Sequence, residues 1–289
     1  MKALSIALIG LVLASVAAPA GAAEEATFDS AGTTIRYIAA GAGEPVILIH
    51  GYTVDTEKQF VRTGVFDALA KTYRVYGMDA RGHGKSGKPH DPAAYGPQMA
   101  LDIVRLMDHL KLRTAHVVGY SMGGHIVAQL LTLHPERFAS ATLGGATGRR
   151  NWSADDQKRV DIESAEMDEG MLRSQIIRLW PKDQPLPGDD EIRQRSAASL
   201  AGLDNKAMAA VRRSNPAQVY KLEDLAKVQV PVLGIVGTAD PYLKDFQELK
   251  AGMPQLQLVT IDGASHGTAP GRPEFIDALT KFLAANPVK

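Results

Sequence analysis

Ala115-His116-Val117-Val118-Gly119-Tyr120-Ser121-Met122-Gly123-Gly124 decides the fold of this chain. Ala115 to Gly119 is a nearly unbroken apolar run, the pattern of a strand buried on both faces of a parallel sheet. Met122 to His134 has helical spacing. Ser121 lies between the two in a Gly-x-Ser-x-Gly arrangement, where a strand must turn sharply into a helix and leave the hydroxyl exposed at the carboxyl edge of the sheet. The turn is too tight for side chains two residues before and two after the serine, and Gly119 and Gly123 stand there. Such a match is weak in an arbitrary Gly-rich loop. Between a buried strand and a helix it marks Ser121 as a candidate nucleophile.

Strand-like and helix-like stretches alternate outward from this point. Upstream lie short strands at Ala26 to Phe28 and Thr34 to Ile38, and a buried strand from Pro45 to His50. A helix is predicted from Thr56 to Lys71, a strand from Tyr73 to Met78 and a helix from Tyr95 to Leu110. Downstream, strands are predicted at Ala141 to Leu143, Val232 to Val236 and Leu256 to Ile261, with a closing helix from Glu274 to Leu283. The alternation implies an α/β fold, a mostly parallel central sheet flanked by helices. From Arg149 to Leu222 no strand-like run occurs, only charged, helix-forming sequence, which reads as a helical cap inserted between two strands. Its Trp152, Met167, Met171, Trp180 and Met208 are candidates either for lining a pocket or for packing the cap onto the sheet.

A serine hydroxyl needs an adjacent base, and the base needs a group to orient it. Two strand ends downstream supply them: Asp240 closes Gly237-Thr238-Ala239-Asp240, and His266 lies in Asp262-Gly263-Ala264-Ser265-His266-Gly267. Both fall on the edge where ligands bind in open α/β sheets. Asp240 is followed by Pro241 and suits a helix cap equally well when considered alone. An oxyanion would need two N–H donors, expected from the backbone of Met122 and of Tyr52 in the loop after the strand ending at His50. His50 itself is expected to be structural.

The chain resembles the α/β-hydrolase superfamily, and within it small serine esterases and cofactor-free haloperoxidases (perhydrolases). The residues carrying the resemblance are His50-Gly51-Tyr52, Asp79-Ala80-Arg81-Gly82-His83-Gly84-Lys85-Ser86-Gly87, Gly119 to Gly124, Gly237 to Asp240 and Ser265-His266-Gly267. It spans roughly Ile35 to Leu283. It implies the α/β-hydrolase fold with a variable cap, and a structural role for the Asp79 to Gly87 stretch. Relatives that open epoxides or remove halide carry an Asp at the elbow, so Ser121 turns the expectation away from those reactions. The expected activity is hydrolysis of a carboxylic ester, or related acyl bond, of a small substrate through an acyl-enzyme intermediate. Perhydrolysis and carbon–carbon hydrolysis by the same residues are the alternatives. A non-catalytic binding protein on this fold is disfavoured because all three triad positions are filled, and an interfacial lipase because the cap is charged.

Composition removes other classes. There is no cysteine, hence no disulfide, thiolate metal site or cysteine nucleophile. Lys+Arg and Asp+Glu are equal at 32 each, which gives no basis for attraction to nucleic acid. No cofactor and no metal are expected. Met1-Lys2, an apolar run from Ala3 to Val16 and a small-residue stretch ending at Ala23 have the layout of a signal peptide. That run is shorter than the roughly 20 residues that span a bilayer, so cleavage after Ala22 or Ala23 is expected rather than a stable membrane anchor. The expected organisation is a signal peptide over 1–23, hydrolase core over 24–148 and 223–289, and a helical cap over 149–222. The protein would then work in the periplasm or outside the cell.

Overall fold

The structure is a computed structural model that describes residues 23–181 and 184–288. Almost the whole expected signal peptide therefore lies outside the described residues. Eight strands form one sheet: β1 (Glu24–Ser30), β2 (Thr33–Ala40), β3 (Pro45–Ile49), β4 (Arg74–Met78), β5 (Ala115–Tyr120), β6 (Phe138–Gly144), β7 (Val232–Gly237) and β8 (Gln257–Ile261). Their spatial order is β1-β2-β4-β3-β5-β6-β7-β8. The pairs β1–β2 and β2–β4 are antiparallel, and every pair from β4–β3 to β7–β8 is parallel. The main helices are α1 (Val65–Ala70), α2 (Pro97–His109), α3 (Met122–Leu133), α4 (Ala154–Asp168), α5 (Arg173–Leu179), α6 (Asp189–Leu200), α7 (Asn205–Arg213), α8 (Leu222–Ala226), α9 (Leu243–Gly252) and α10 (Pro273–Ala284).

Alternate side chains of a strand leave on opposite faces. In β3, Val46 and Leu48 enter one apolar cluster while Ile47 and Ile49 enter the other, and Val117 and Val118 of β5 divide the same way. Full burial of each such side chain stabilises the fold by about 1.5–3 kcal/mol. This is why these strands read as continuous apolar runs. The chain runs from β3 outward to β4 and returns to β5 on the other side of β3, so the strand order reverses there. A crevice opens at the carboxyl ends at such a reversal.

Two local expectations are corrected. The single helix predicted from Thr56 to Lys71 is broken into a π-helical turn, Glu57–Val61, and α1, because Gly64 adopts φ 78° between them. The short strand predicted at Ala141 to Leu143 is longer, since Ser140 is buried and bonds through Oγ to His116 Nδ1 of β5 at 2.7 Å. Polar residues paired across the sheet concealed the strand's start. Helix α9, after Asp240, was not anticipated. Helices α4 to α8 all lie between β6 and β7. Among the described residues no helix is long and apolar enough to cross a membrane.

Candidate active site

Ser121 sits between β5 and α3 with φ 54° and ψ −112°, a conformation unfavourable for any residue with a Cβ. Its neighbours show why the turn needs glycine. A Cβ on Gly119 would lie 2.1 Å from the carbonyl oxygen of Gly123, and one on Gly123 2.0 Å from that of Ile49. Both obstacles are backbone and cannot move aside. The backbone N–H of Ser121 donates to the Gly144 carbonyl at 2.7 Å, which ties the turn to the end of β6. The loop after β3 also comes close: a Cβ on Gly51 would meet Ser121 Cβ at 3.3 Å.

His266, in the loop after β8, places Nε2 2.9 Å from Ser121 Oγ and Nδ1 2.9 Å from Asp240 Oδ2. A carboxylate only accepts hydrogen bonds, so Nδ1 carries the proton and Nε2 offers its lone pair to the serine hydroxyl. Asp240 is 4% exposed and His266 7%. The other oxygen of Asp240, Oδ1, accepts the backbone N–H of Tyr242 at 2.9 Å. One carboxylate thus fixes both its own loop and the imidazole. The ring is held between Tyr120 and Tyr242, with centroids 5.6 and 5.5 Å away, and the Tyr120 hydroxyl donates to the His266 carbonyl at 2.5 Å. A Cβ on Gly237 would strike the Ala264 carbonyl at 1.9 Å, so glycine there allows the loops after β7 and β8 to meet. The geometry is suited to removing the hydroxyl proton as the oxygen attacks an electrophile.

Ser121 and His266 open onto a cavity of about 300 Å³, at the small end for a ligand site. Tyr52 and Met122 line it too. The Tyr52 hydroxyl donates to the Met208 carbonyl of α7 at 2.7 Å, and Arg212 lies 4.2 Å over its ring, so this loop is clamped to the cap. Burial pushes the Tyr52 phenol up to about 12. The cap's side of the cavity is cationic, with Arg149, Arg159, Arg178 and Arg212 on its wall. Glu163 of α4, itself buried, bonds Arg178 at 2.8 Å and Arg212 at 3.1 Å. Burial works to raise the Glu163 pKa, but these two guanidiniums outweigh it and the carboxyl titrates below its usual range.

The comparisons with known proteins agree with this architecture. The family model for the alpha/beta hydrolase fold matches residues 44–169. A hydrolase of 2-hydroxy-6-oxo-6-(2'-aminophenyl)hexa-2,4-dienoic acid from Metapseudomonas resinovorans is 30% identical over 219 residues, 73% of each chain. This chain belongs to the α/β-hydrolase family. A dihydrolipoyllysine-residue acetyltransferase component of an acetoin cleaving system from Cupriavidus necator is 38% identical to the hydrolase over 121 residues, but the match spans only 31% of that longer protein. In fold, the hydrolase is similar to a thermophilic esterase from Thermogutta terrifontis, with TM-score 0.76 and 22% identity over 93% of this chain and 100% of that one.

The structure of the hydrolase brings Ser121, Asp240, His266, Tyr52 and Met122 into one place. His50 is fully buried, with Nε2 accepting the Ala80 N–H at 3.0 Å and Nδ1 donating to the Gly51 carbonyl at 2.7 Å, so it shapes the loop before Tyr52. Asp79 is likewise structural, accepting from the N–H groups of Thr56 and Lys85 and from Arg36. None of Trp152, Met167, Met171, Trp180 and Met208 lines the cavity with Ser121; Met167 and Met208 are buried in the core instead. Four of the cap residues on the wall are arginines, beside Gln175, Leu179, Val211 and Asn215. The available signal was Arg149-Arg150, five and six residues beyond the end of β6 on the carboxyl side of the sheet.

Proposed function

We propose that the hydrolase cleaves a carboxylic ester, or related acyl bond, of a small substrate through an acyl-enzyme intermediate. Ser121 attacks the carbonyl while His266 takes its proton, then returns it to the leaving alcohol. Asp240 keeps the imidazole in the required tautomer and stabilises the imidazolium. The backbone N–H groups of Met122, at the positive end of α3, and Tyr52 receive the oxyanion. Water then repeats the sequence and frees the acid. The observation that carries this reading is the unbroken Ser121–His266–Asp240 chain, 2.9 Å at each link, on a strained turn at the sheet edge.

The test is labelling with a fluorophosphonate, followed by turnover of a panel of nitrophenyl esters, lactones and an oxo-dienoic acid of the kind named for the Metapseudomonas relative. Ser121 should be the labelled residue, and Ser121→Ala should lose several orders of magnitude in turnover. Retention of more than about a tenth of the activity by that variant would remove Ser121 from the mechanism. The N-terminal segment supports export of the protein, and a mature N-terminus near Glu24 on the recovered protein is the expected result.

A further inference from the structure

Arg149 has an environment unlike its neighbours'. Arg178 and Arg212 share Glu163, and Arg159 pairs with Asp156 at 2.6 Å. Among the described residues Arg149 has no carboxylate within ion-pair distance, its Nε is buried with no hydrogen-bond partner, and it lines the cavity that holds Ser121. Burial first, then the positive charges of Arg212, Arg178 and Arg159, pull its pKa down to about 9. The same surroundings act on His125, one helical turn beyond Ser121: burial, then Arg149, Arg178 and Arg212, hold its pKa well below the usual histidine range. That imidazole is neutral at pH 7 and adds no counter-charge. A charge partly withdrawn from water without a partner is costly, and the fold keeps the half-buried Arg149 on the wall of its cavity.

We propose that this cavity takes a substrate bearing a carboxylate remote from the scissile carbonyl, and that Arg149, backed by Arg178 and Arg212, binds that carboxylate. The inference rests on the serine-hydrolase reading above and gives its substrate class: the half-ester of a short dicarboxylic acid, or a lactone carrying a free carboxylate. A guanidinium with free terminal nitrogens presents a planar fork that a carboxylate accepts in two parallel hydrogen bonds. The partner charge that Glu163 provides to Arg178 and Arg212 comes, for Arg149, from the ligand. A cavity of about 300 Å³ accommodates a chain of only a few carbons between the two carbonyl groups.

Binding is tested apart from chemistry, with glutarate, its neutral isostere glutaramide and inorganic phosphate titrated calorimetrically into the Ser121→Ala protein. Glutarate should bind, glutaramide should give no heat, and phosphate should bind more weakly than glutarate. Adding Arg149→Gln should weaken glutarate about tenfold or more, and Arg149→Lys, which keeps the charge but not the fork, by less. In the active protein, the ratio of kcat/KM for mono-nitrophenyl glutarate to that for nitrophenyl valerate should fall about tenfold or more on Arg149→Gln. Arg149→Gln removes an uncompensated charge, so its Tm should match or exceed that of the parent. Equal binding of glutarate and glutaramide, tighter binding of phosphate, or an unchanged ester ratio would each overturn the proposal. Failure of Ser121 to label while Arg149-dependent glutarate binding persists would support the anion site and defeat the nucleophile assignment instead.

Discussion

The strain at Ser121 can be measured by replacing it twice. Its φ of 54° and ψ of −112° place a Cβ where L-residues are rarely found. Holding a non-glycine residue in such a region costs about 1–3 kcal/mol. Ser121→Ala keeps the Cβ and removes only the hydroxyl; Ser121→Gly removes both. Each loses the bond to His266 Nε2, so that contribution cancels between the two variants. Glycine gives back about 0.5–1 kcal/mol through the extra freedom of the unfolded chain. The balance favours the glycine variant by about 1 kcal/mol, or about 2–3 °C in Tm for a chain of this size. The comparison is made by thermal unfolding at pH 7, with urea midpoints as a check on reversibility, and both variants should fail to hydrolyse nitrophenyl esters. An alanine variant as stable as the glycine variant, or more so, would mean that the turn stores no strain at this position. The glycines around it would then be explained by close backbone approach alone.

Two further outcomes are expected. Met208 is fully buried in the core cluster, so Met208→Ala should cost about 2–5 kcal/mol by urea unfolding while the preference among acyl lengths stays put; a severalfold shift in that preference would return Met208 to the cavity wall. Burial lowers the pKa values of His50, His83, His116 and His125, that of His83 to about 3, whereas the unfolded chain titrates near pH 6.5. The fold therefore binds fewer protons than the unfolded chain in acid, so stability is full above about pH 6.5 and falls as pH drops toward the folded values, by about 2 kcal/mol for His83 between pH 7 and 5. Urea midpoints identical at pH 7 and 5, or a His83→Gln variant with an unreduced pH slope, would contradict it.

Much of this molecule was legible from local pattern. Buried parallel strands must be apolar on both faces, so β3, β5 and β7 announce themselves as continuous runs without reference to their partners. The elbow is equally local. Its glycines are required by backbone atoms no more than a turn away or on the adjoining strand, and the Gly-x-Ser-x-Gly spacing records that requirement. Asp240 and His266 stand out because each lies in the loop after a strand, and parallel strands bring such loops to one edge.

What failed locally failed because the deciding contact lies far off in sequence. The start of β6 was concealed by Ser140, whose polarity is satisfied by His116 on the next strand. The helix predicted from Thr56 was divided because Gly64 takes a left-handed conformation, which helical periodicity does not record. The cap shows the limit most clearly. Its aromatic and methionine residues looked like the lining of a pocket, yet Met167 and Met208 are core, and the cap's charged contribution to the wall is Arg149, Arg159, Arg178 and Arg212. Hydrophobicity along a helix tells which residues seek burial but not whether they find it in the core or in a cavity. Nor does a string of charges reveal which will be paired. Glu163 neutralises two arginines fifteen residues or more distant in the chain, and only the packed cap leaves Arg149 on the wall of the Ser121 cavity with no carboxylate partner among the described residues. The sequence alone determined the parallel strands and picked out the candidate residues at their ends, because both follow from periodicity and strand ends. The charge facing the cavity was decided only by tertiary structure, because it depends on which ionic partners the folded cap brings together.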